Sequence, residues 1–437
     1  MKSNRYKISL ILAGMLFCNA EAEVLNFSTA YGLALENANN IRSAVYVSES
    51  EKEKINQEKS QLYPQINLST SYKKSEYEAN PTGHMTRQGL ITYSATARQN
   101  IYNDEVYTRV DLQEARSKYS KIKVERQKEE LAQELFKTYL DILKSKNRIN
   151  LLESYLEYTK TKLDDLTKRF EMSMSNKMDL FQMRVEYASA QIELDKEKKL
   201  FSVHELKFKH YIGDVAYDLP DISSDKILLD AIKEMKNQVS LSVDLEKSYK
   251  VQEAKAALST ADADLEYSKA GHLPKLTFDA AYSKYSTDDP TVDAAYNTTN
   301  YAMISLNLPI YSGGYVSSRV ESSLLMKKSA IEDLTNTKKE VTVAYNEYMV
   351  TFEASAESVS MYKNAIESAE LYVDAINQGY EHGLKSIIDL NEAKNKLNEV
   401  KYKYVENLYQ MVNSYIGLLM VTNNFKELNL LDKLVQG

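Results

Sequence analysis

Tyr63-Pro64-Gln65-Ile66-Asn67-Leu68-Ser69-Thr70-Ser71-Tyr72 is the stretch that decides the fold, because it alternates strictly and because its pattern returns. Ile66, Leu68 and Tyr72 share one face of an extended chain, and Asn67, Ser69 and Ser71 share the other, which is the period of a two-faced strand. At an offset of 210 residues Leu273-Pro274-Lys275-Leu276-Thr277-Phe278 repeats the punctuation, so Pro64 and Pro274 mark equivalent strand starts. Each has a partner strand. In the first pair Ile91, Tyr93, Ala95 and Ala97 oppose Thr92, Ser94, Thr96 and Arg98. In the second, Leu276, Phe278, Ala280 and Tyr282 alternate with Thr277, Asp279 and Ser283, and Ile304, Leu306 and Leu308 form one side of the last strand. Polar segments, 78–88 and 286–300, join the members, so both pairs read as hairpins.

Amphipathic strands of about 10 to 12 residues suit a tilted transmembrane β-segment, with an apolar lipid face and a wet lumen face. They also suit a half-buried hairpin on a soluble domain. The surroundings favour the membrane, since neither hairpin has an apolar domain to lie against. Four strands in a membrane would leave unpaired edges, each bare backbone group costing several kcal/mol, so a barrel must be shared by two, three or four chains.

The duplication extends outward from the strands. Phe170-Glu171 answers to Tyr380-Glu381 and Asp179-Leu180 to Asp389-Leu390 at the same offset of 210. Ile101-Tyr102 matches Ile310-Tyr311 one residue out of step, and Tyr211-Ile212-Gly213 matches Tyr415-Ile416-Gly417 six out. Each copy reads as helix, two strands, long helix, turn, helix, with the leading helices over about 27–61 and 243–271. Ile149, Leu152, Leu156, Thr159, Leu163, Leu166 and Phe170 are spaced 3, 4, 3, 4, 3 and 4, and so are Val359, Tyr362, Ile366, Ala369, Val373, Ile376 and Tyr380. That is a heptad seam. No proline or turn signal interrupts 104–172 or 313–381, so each helix spans about 100 Å, which suits crossing a periplasm or building a fibre.

Composition agrees. Only 12 Gly and 6 Pro punctuate 437 residues, which favours few, long helices. The 33 Tyr, against no Trp and 10 Phe, fit both membrane-interface girdles and packed amphipathic helices. A net charge of -7 with interspersed signs leaves no basic footprint for nucleic acid. Lys2, Arg5 and Lys7, the apolar run 8–18 and Ala20-Glu21-Ala22 read as an export signal over 1–22, too short to span a bilayer. The one cysteine, Cys18, lies inside it, so its removal leaves a mature chain with no thiol chemistry; the alternative, a lipoprotein through Cys18, meets Phe17 where a small residue is expected. His84, His204, His210, His272 and His382 have no metal-ligand spacing, no nucleophile motif stands out, and Asp288, Asp289 and Asp293 lack the Gly and Glu of a calcium loop. No catalytic, metal or cofactor site is expected.

Over essentially the whole mature chain these residues resemble the TolC family of outer-membrane efflux proteins. The most specific match is Leu306-Asn307-Leu308-Pro309-Ile310-Tyr311-Ser312-Gly313-Gly314, a strand-to-helix passage in which Pro309 ends ladder pairing and Gly313-Gly314 turn the backbone. Asn103-Asp104 is a weaker version. Further matches are Tyr63-Pro64-Gln65, Leu273-Pro274, Arg169-Phe170, and Gly379-Tyr380-Glu381-His382-Gly383 leading to Ile387-Ile388-Asp389-Leu390.

The resemblance implies an α+β membrane protein: a homotrimer with a shared 12-stranded antiparallel β-barrel on a long α-helical periplasmic tunnel, each chain carrying two internal repeats. The first repeat is 23–213, with its hairpin at 64–102 and a tip turn near 172–178. An equatorial linker, 214–242, follows. The second repeat is 243–420, with its hairpin at 274–311 and a tip turn near 381–386, and 421–437 is an equatorial tail. The implied role is the outer-membrane exit channel of a tripartite efflux pump or type I secretion system, opened by a periplasmic adaptor and an inner-membrane transporter. Family gate positions carry over onto Asp179, Tyr380, Lys385, Asp389 and Glu392. Lys385 stands where an arginine is typical and Glu392 where an aspartate is, which keeps charge but changes bond geometry. Asp389 and Glu392, three apart on one helical face, would stack as two carboxylate rings in a trimer. Asp179 and Asp389 also sit where acids simply complement a helix dipole. The reading from another class is a periplasmic coiled-coil adaptor or scaffold, which requires only one hairpin.

Overall fold

The computed structural model describes residues 23–79, 84–174, 176–219, 234–235, 244–287 and 298–424. The signal segment with Cys18, most of the 214–242 linker, Asp288, Asp289 and Asp293, and the tail beyond 424 lie outside the described residues. In chain order the elements are β1 (Glu23–Val24), α1 (Phe27–Asn37), α2 (Asn39–Ser60), β2 (Gln65–Ala79), β3 (His84–Asn103), α3 (Asp104–Glu171), α4 (Lys177–Ile212) and β4 (Tyr217–Asp218). After a 3-10 turn, Leu245–Lys247, come α5 (Tyr249–Ala270), β5 (Lys275–Thr287), β6 (Thr298–Asn307), α6 (Tyr315–Glu381) and α7 (Ile387–Val421). Among the described residues no helix is long and apolar enough to cross a membrane.

The chain divides into two compact units that do not follow the sequence repeats. One takes residues up to Asn37 with Thr138–Met235; the other takes Ala38–Lys137 and Lys236–Phe425. The second combines parts of both repeats because β3 pairs with β5, a bond between the two hairpins.

In the first unit an aromatic cluster gathers the start of the chain and two helices. Tyr139 lies 4.5 Å from Phe27 and 5.8 Å from Phe208, and Phe208 meets Tyr217 edge-on at 5.1 Å. Fully buried Tyr139 satisfies its hydroxyl by donating to the Leu25 carbonyl at 2.7 Å. β1 pairs in parallel with β4, and burial pushes the Tyr217 hydroxyl up to about 12. The sequence predicts a single helix over 27–61, yet Ala38, at φ -74 and ψ 91, breaks it into α1 and α2. Asn37 is the physical reason on this side. Its side-chain amide donates to the carbonyls of His210 and Tyr211, at 3.3 and 3.2 Å, which are among the last of α4 and lack helical partners.

In the second unit the four strands form one antiparallel sheet in the order β2-β3-β5-β6, so β2 and β6 are its edges. The strands, of 15, 20, 13 and 10 residues, outrun the apolar alternation. Glu78 pairs with Met85 and Ala79 with His84, so the first connector is shorter than 78–88, and β5 and β6 likewise shorten the second. Ladder bonds join backbone groups and need no apolar side chain, which is why alternation undercounts them. His84 therefore begins a strand rather than lying in a loop.

Paired residues share a face, which fixes the two surfaces of the sheet. One carries Ile66, Leu68 and Tyr72 with Ala97, Ala95 and Ile91, then Ala280 and Tyr282, then Ile304. It is bare: Leu68 is 83% and Ile66 73% exposed. The opposite surface carries Asn67, Ser69, Thr96, Ser94 and Ser283. Here Arg98 pairs with Asp279 at 2.6 Å across the two hairpins, and Ser283 bonds Ser94 at 3.2 Å.

The two exits from the sheet differ. A bulge between Asn100 and Tyr102 precedes α3, which begins immediately after Asn103 with Asp104 and Glu105 in its first turn. β6 instead stops at Asn307, four residues short of the predicted 311, because Pro309 has no N–H to extend the ladder. Gly313 and Gly314 then take φ of 63 and 83, with Gly314 capping α6. Below the sheet the helices pack through mixed contacts: Tyr267 is flanked by Arg109 and Arg319, whose guanidinium carbons lie 5.2 and 4.3 Å from its ring centre.

Candidate functional site

The predicted gate residues fall at two helix-to-helix turns, Asp179 in the first unit and the other four in the second. At the first turn Met174 N–H donates to the Arg169 carbonyl at 2.7 Å, Ser173 takes φ 60, and Asn176 caps α4 by accepting from Met178 N–H at 3.1 Å. Asp179 sits half-buried in the first turn of α4. Leu180 and Met183 are buried behind it, while Phe181 is exposed with Lys177 and Arg184 near its ring.

The second turn is built differently. α6 ends at Glu381, Gly383 takes φ 73, and Leu384 N–H donates to the Gly379 carbonyl at 2.8 Å. Ser386 and Asp389 form a capping box. Asp389 N–H donates to Ser386 Oγ at 3.2 Å, and Asp389 Oδ2 accepts from Ser386 N at 2.9 Å and Oγ at 3.0 Å. These bonds from Ser386, and after them the charge of Lys385, hold the Asp389 carboxyl below the usual range. Lys385 folds its stem over α6: a Cβ on residue 379 would stand 2.7 Å from Lys385 Cγ. Tyr380 is half-buried in the last turn of α6, and Glu392 is exposed. The structure thus gathers Tyr380, Lys385, Asp389 and Glu392 around one turn. Asp389 is committed to its own helix end, which leaves Glu392 as the unengaged carboxylate of the two.

Sequence reasoning missed a second polar feature of this unit. Glu129 on α3 is 9% exposed and borders a cavity of about 100 Å³ lined also by Arg126, Glu130, Lys250, Glu340 and Tyr348. Burial pushes its carboxyl up to about 7, with Glu130 reinforcing and Lys250 and Arg126 opposing. A heptad pattern cannot signal this, because Glu is ordinary on a helix surface. The folded protein binds a proton here between pH 4.5 and about 7 that the unfolded chain releases, so this contribution to stability falls as pH rises through that window. The loss is on the order of 3 kcal/mol at most. Glu129→Gln should raise the melting temperature at pH 8 and flatten its pH dependence between 5 and 8, read by the helical circular-dichroism signal; an unchanged slope would place the titration elsewhere.

A two-faced sheet is thus joined in one chain to helices of 68 and 67 residues. The chain belongs to the outer membrane efflux protein family, whose model matches residues 30–200 and 241–424. It is similar to outer membrane protein TolC of Escherichia coli, 23% identical over 438 residues that span 94% of this chain and 85% of that protein. It is also similar to alkaline protease secretion protein AprF of Pseudomonas aeruginosa, 20% identical over 437 residues, 96% of this chain and 90% of that one. Among solved structures, the Campylobacter jejuni CmeC outer membrane channel has the same fold, with a TM-score of 0.78 at 16% identity over 92% of this chain and 89% of that one.

Proposed function

We propose that this protein is the outer-membrane exit channel of a tripartite efflux pump or a type I secretion system, a passive conduit with no catalysis of its own. The observation that carries the reading is the four-stranded sheet which, among the described residues, has one bare apolar face and two unpaired edges. Lipid covers such a face, and further strands complete such edges. Three copies supply twelve strands, closing a barrel with Arg98, Asp279 and the serine row turned to the lumen. The twice-occurring order of helix, strand pair, long helix and helix supports two internal repeats. A coiled-coil adaptor, the reading from another class, needs one hairpin, and this sheet has two.

Cargo is chosen by partners. The relatives include a protein named for efflux and one named for protease secretion, and a passive duct serves either under a different inner-membrane transporter and periplasmic adaptor. The tips form the seal: Asp179, Tyr380, Lys385, Asp389 and Glu392 are its gate, with Glu392 supplying the outward ring of charge. Purified in detergent, the protein should have the mass of three chains, and in planar bilayers the combined variant Asp179→Ala, Tyr380→Phe, Lys385→Ser should conduct more than the parent. A monomer soluble without surfactant would overturn the reading.

A further inference from the structure

The buried stripe at the start of α7 contains one polar residue, and among the described residues it has no hydrogen-bond partner. Ile387, Leu390, Ala393 and Leu397 are each buried, and Asn391 among them is 2% exposed. Among the described residues neither its Oδ1 nor its Nδ2 has a hydrogen-bond partner. A buried amide stripped of water and left unbonded is destabilising, and it is relieved by any motion that lets water in. α6 and α7 run antiparallel, with Glu370 bonded to Lys401 at 2.7 Å and Tyr348 lying on Gly417. That register brings Asn391 level with the last turn of α6, the turn that carries Tyr380.

The first copy provides an internal comparison. At the offset of 210, Asn391 answers to Phe181, which is 49% exposed, while Leu390 and Leu180 are both buried. The second helix pair therefore turns inward, at this position, a residue type unsuited to a dry interface. The first pair turns its counterpart outward.

We propose that Asn391 is a positioning residue of the tip, keeping the packing of α7 on α6 shallow enough to be released. This rests on the gate reading above, and goes beyond it by naming the group that biases the moving pair. The amide destabilises the closed packing and is hydrated in the open one, so it shifts the balance toward opening without touching cargo. An apolar residue of similar volume removes that bias.

The test uses the full-length protein reconstituted in planar bilayers, with Asn391→Leu and, as a second apolar replacement, Asn391→Met. Both should lower the open probability, by about tenfold, which corresponds to about 1.4 kcal/mol. Hydrogen exchange of backbone amides over 387–397 should slow in both. A merely structural role would raise thermal stability and leave open probability and local exchange as in the parent, which would overturn the inference. Failure of both variants to assemble would also overturn it, since the amide would then have an essential partner in the assembled protein. The combined gate variant separates the two claims. If it fails to raise conductance, the gate reading has failed; if it succeeds while the Asn391 variants behave as the parent, only this inference has.

Discussion

Leu68→Arg should abolish stable insertion in the outer membrane, whereas Ser69→Arg, one residue along the same strand, should leave a protein that still inserts. Both side chains are on β2, and the register puts them on opposite faces: Leu68 opposite Ala95, Ser69 opposite Ser94. Leu68 is already the more exposed of the apolar residues quoted above, so none of the described residues covers it. An arginine on a lipid-facing position costs about 2 to 4 kcal/mol at the bilayer midplane and less toward the interfaces. In the proposed three-chain barrel that cost would be multiplied. On the Ser69 face the new guanidinium joins a surface that already holds Arg98 and Asp279, where charge is solvated and changes ion preference instead of insertion. Membrane fractionation with heat-dependent gel mobility reads the first effect, and reversal potential in bilayers the second. Equal tolerance of both substitutions would mean that the faces are not divided between lipid and lumen.

The strands and the long helices were legible because their signals are local. Alternation at 66–72 and 276–282, and the 3-4 spacing through Thr159 and Val373, each sit within one element, and a single period identifies it. What escaped depends on partners far away in sequence. Nothing near Ala38 announces a break, since the cause includes an Asn37 amide reaching carbonyls at 210 and 211. Arg98 and Asp279 are each ordinary on a polar face, and only the β3–β5 pairing makes them a bond. Glu129 and Asn391 look like surface residues in a charged helix; their burial comes from the packing of other helices. The gate positions came from resemblance, and the structure adds a distinction the pattern could not supply: Asp389 closes a capping box, while Glu392 stays exposed.

Gly417→Val should separate α6 from α7 where Tyr348 lies on Gly417 and lower the melting temperature of the protein more than any single substitution at the tips. A Cβ on residue 417 would lie 2.5 Å from Tyr348 Cε1 and 2.6 Å from both Cδ1 and Cζ, inside van der Waals contact with the ring rather than with a flexible chain end. The ring has little freedom to leave, since Tyr348 is half-buried and its hydroxyl accepts from Gln133 Nε2 on α3 at 3.0 Å. Around it Tyr415, Phe352, Met411 and Val412 are buried, and Phe352 lies 5.9 Å from Tyr415, so the backbone of α7 must yield instead. Overpacking of this kind costs about 1 to 3 kcal/mol per site, and a branched residue against an aromatic face sits at the upper end. Tyr348→Ala opens room for the new side chain, so the double variant should recover much of the stability that Gly417→Val loses. The two changes must then be strongly non-additive, which a thermal-melting cycle measures. Full additivity would mean that the glycine is not there for the tyrosine. With the α6–α7 packing pried apart at this level, the proposed gate would lose a support away from the tip, so the same variant should also leak current with the tip residues intact.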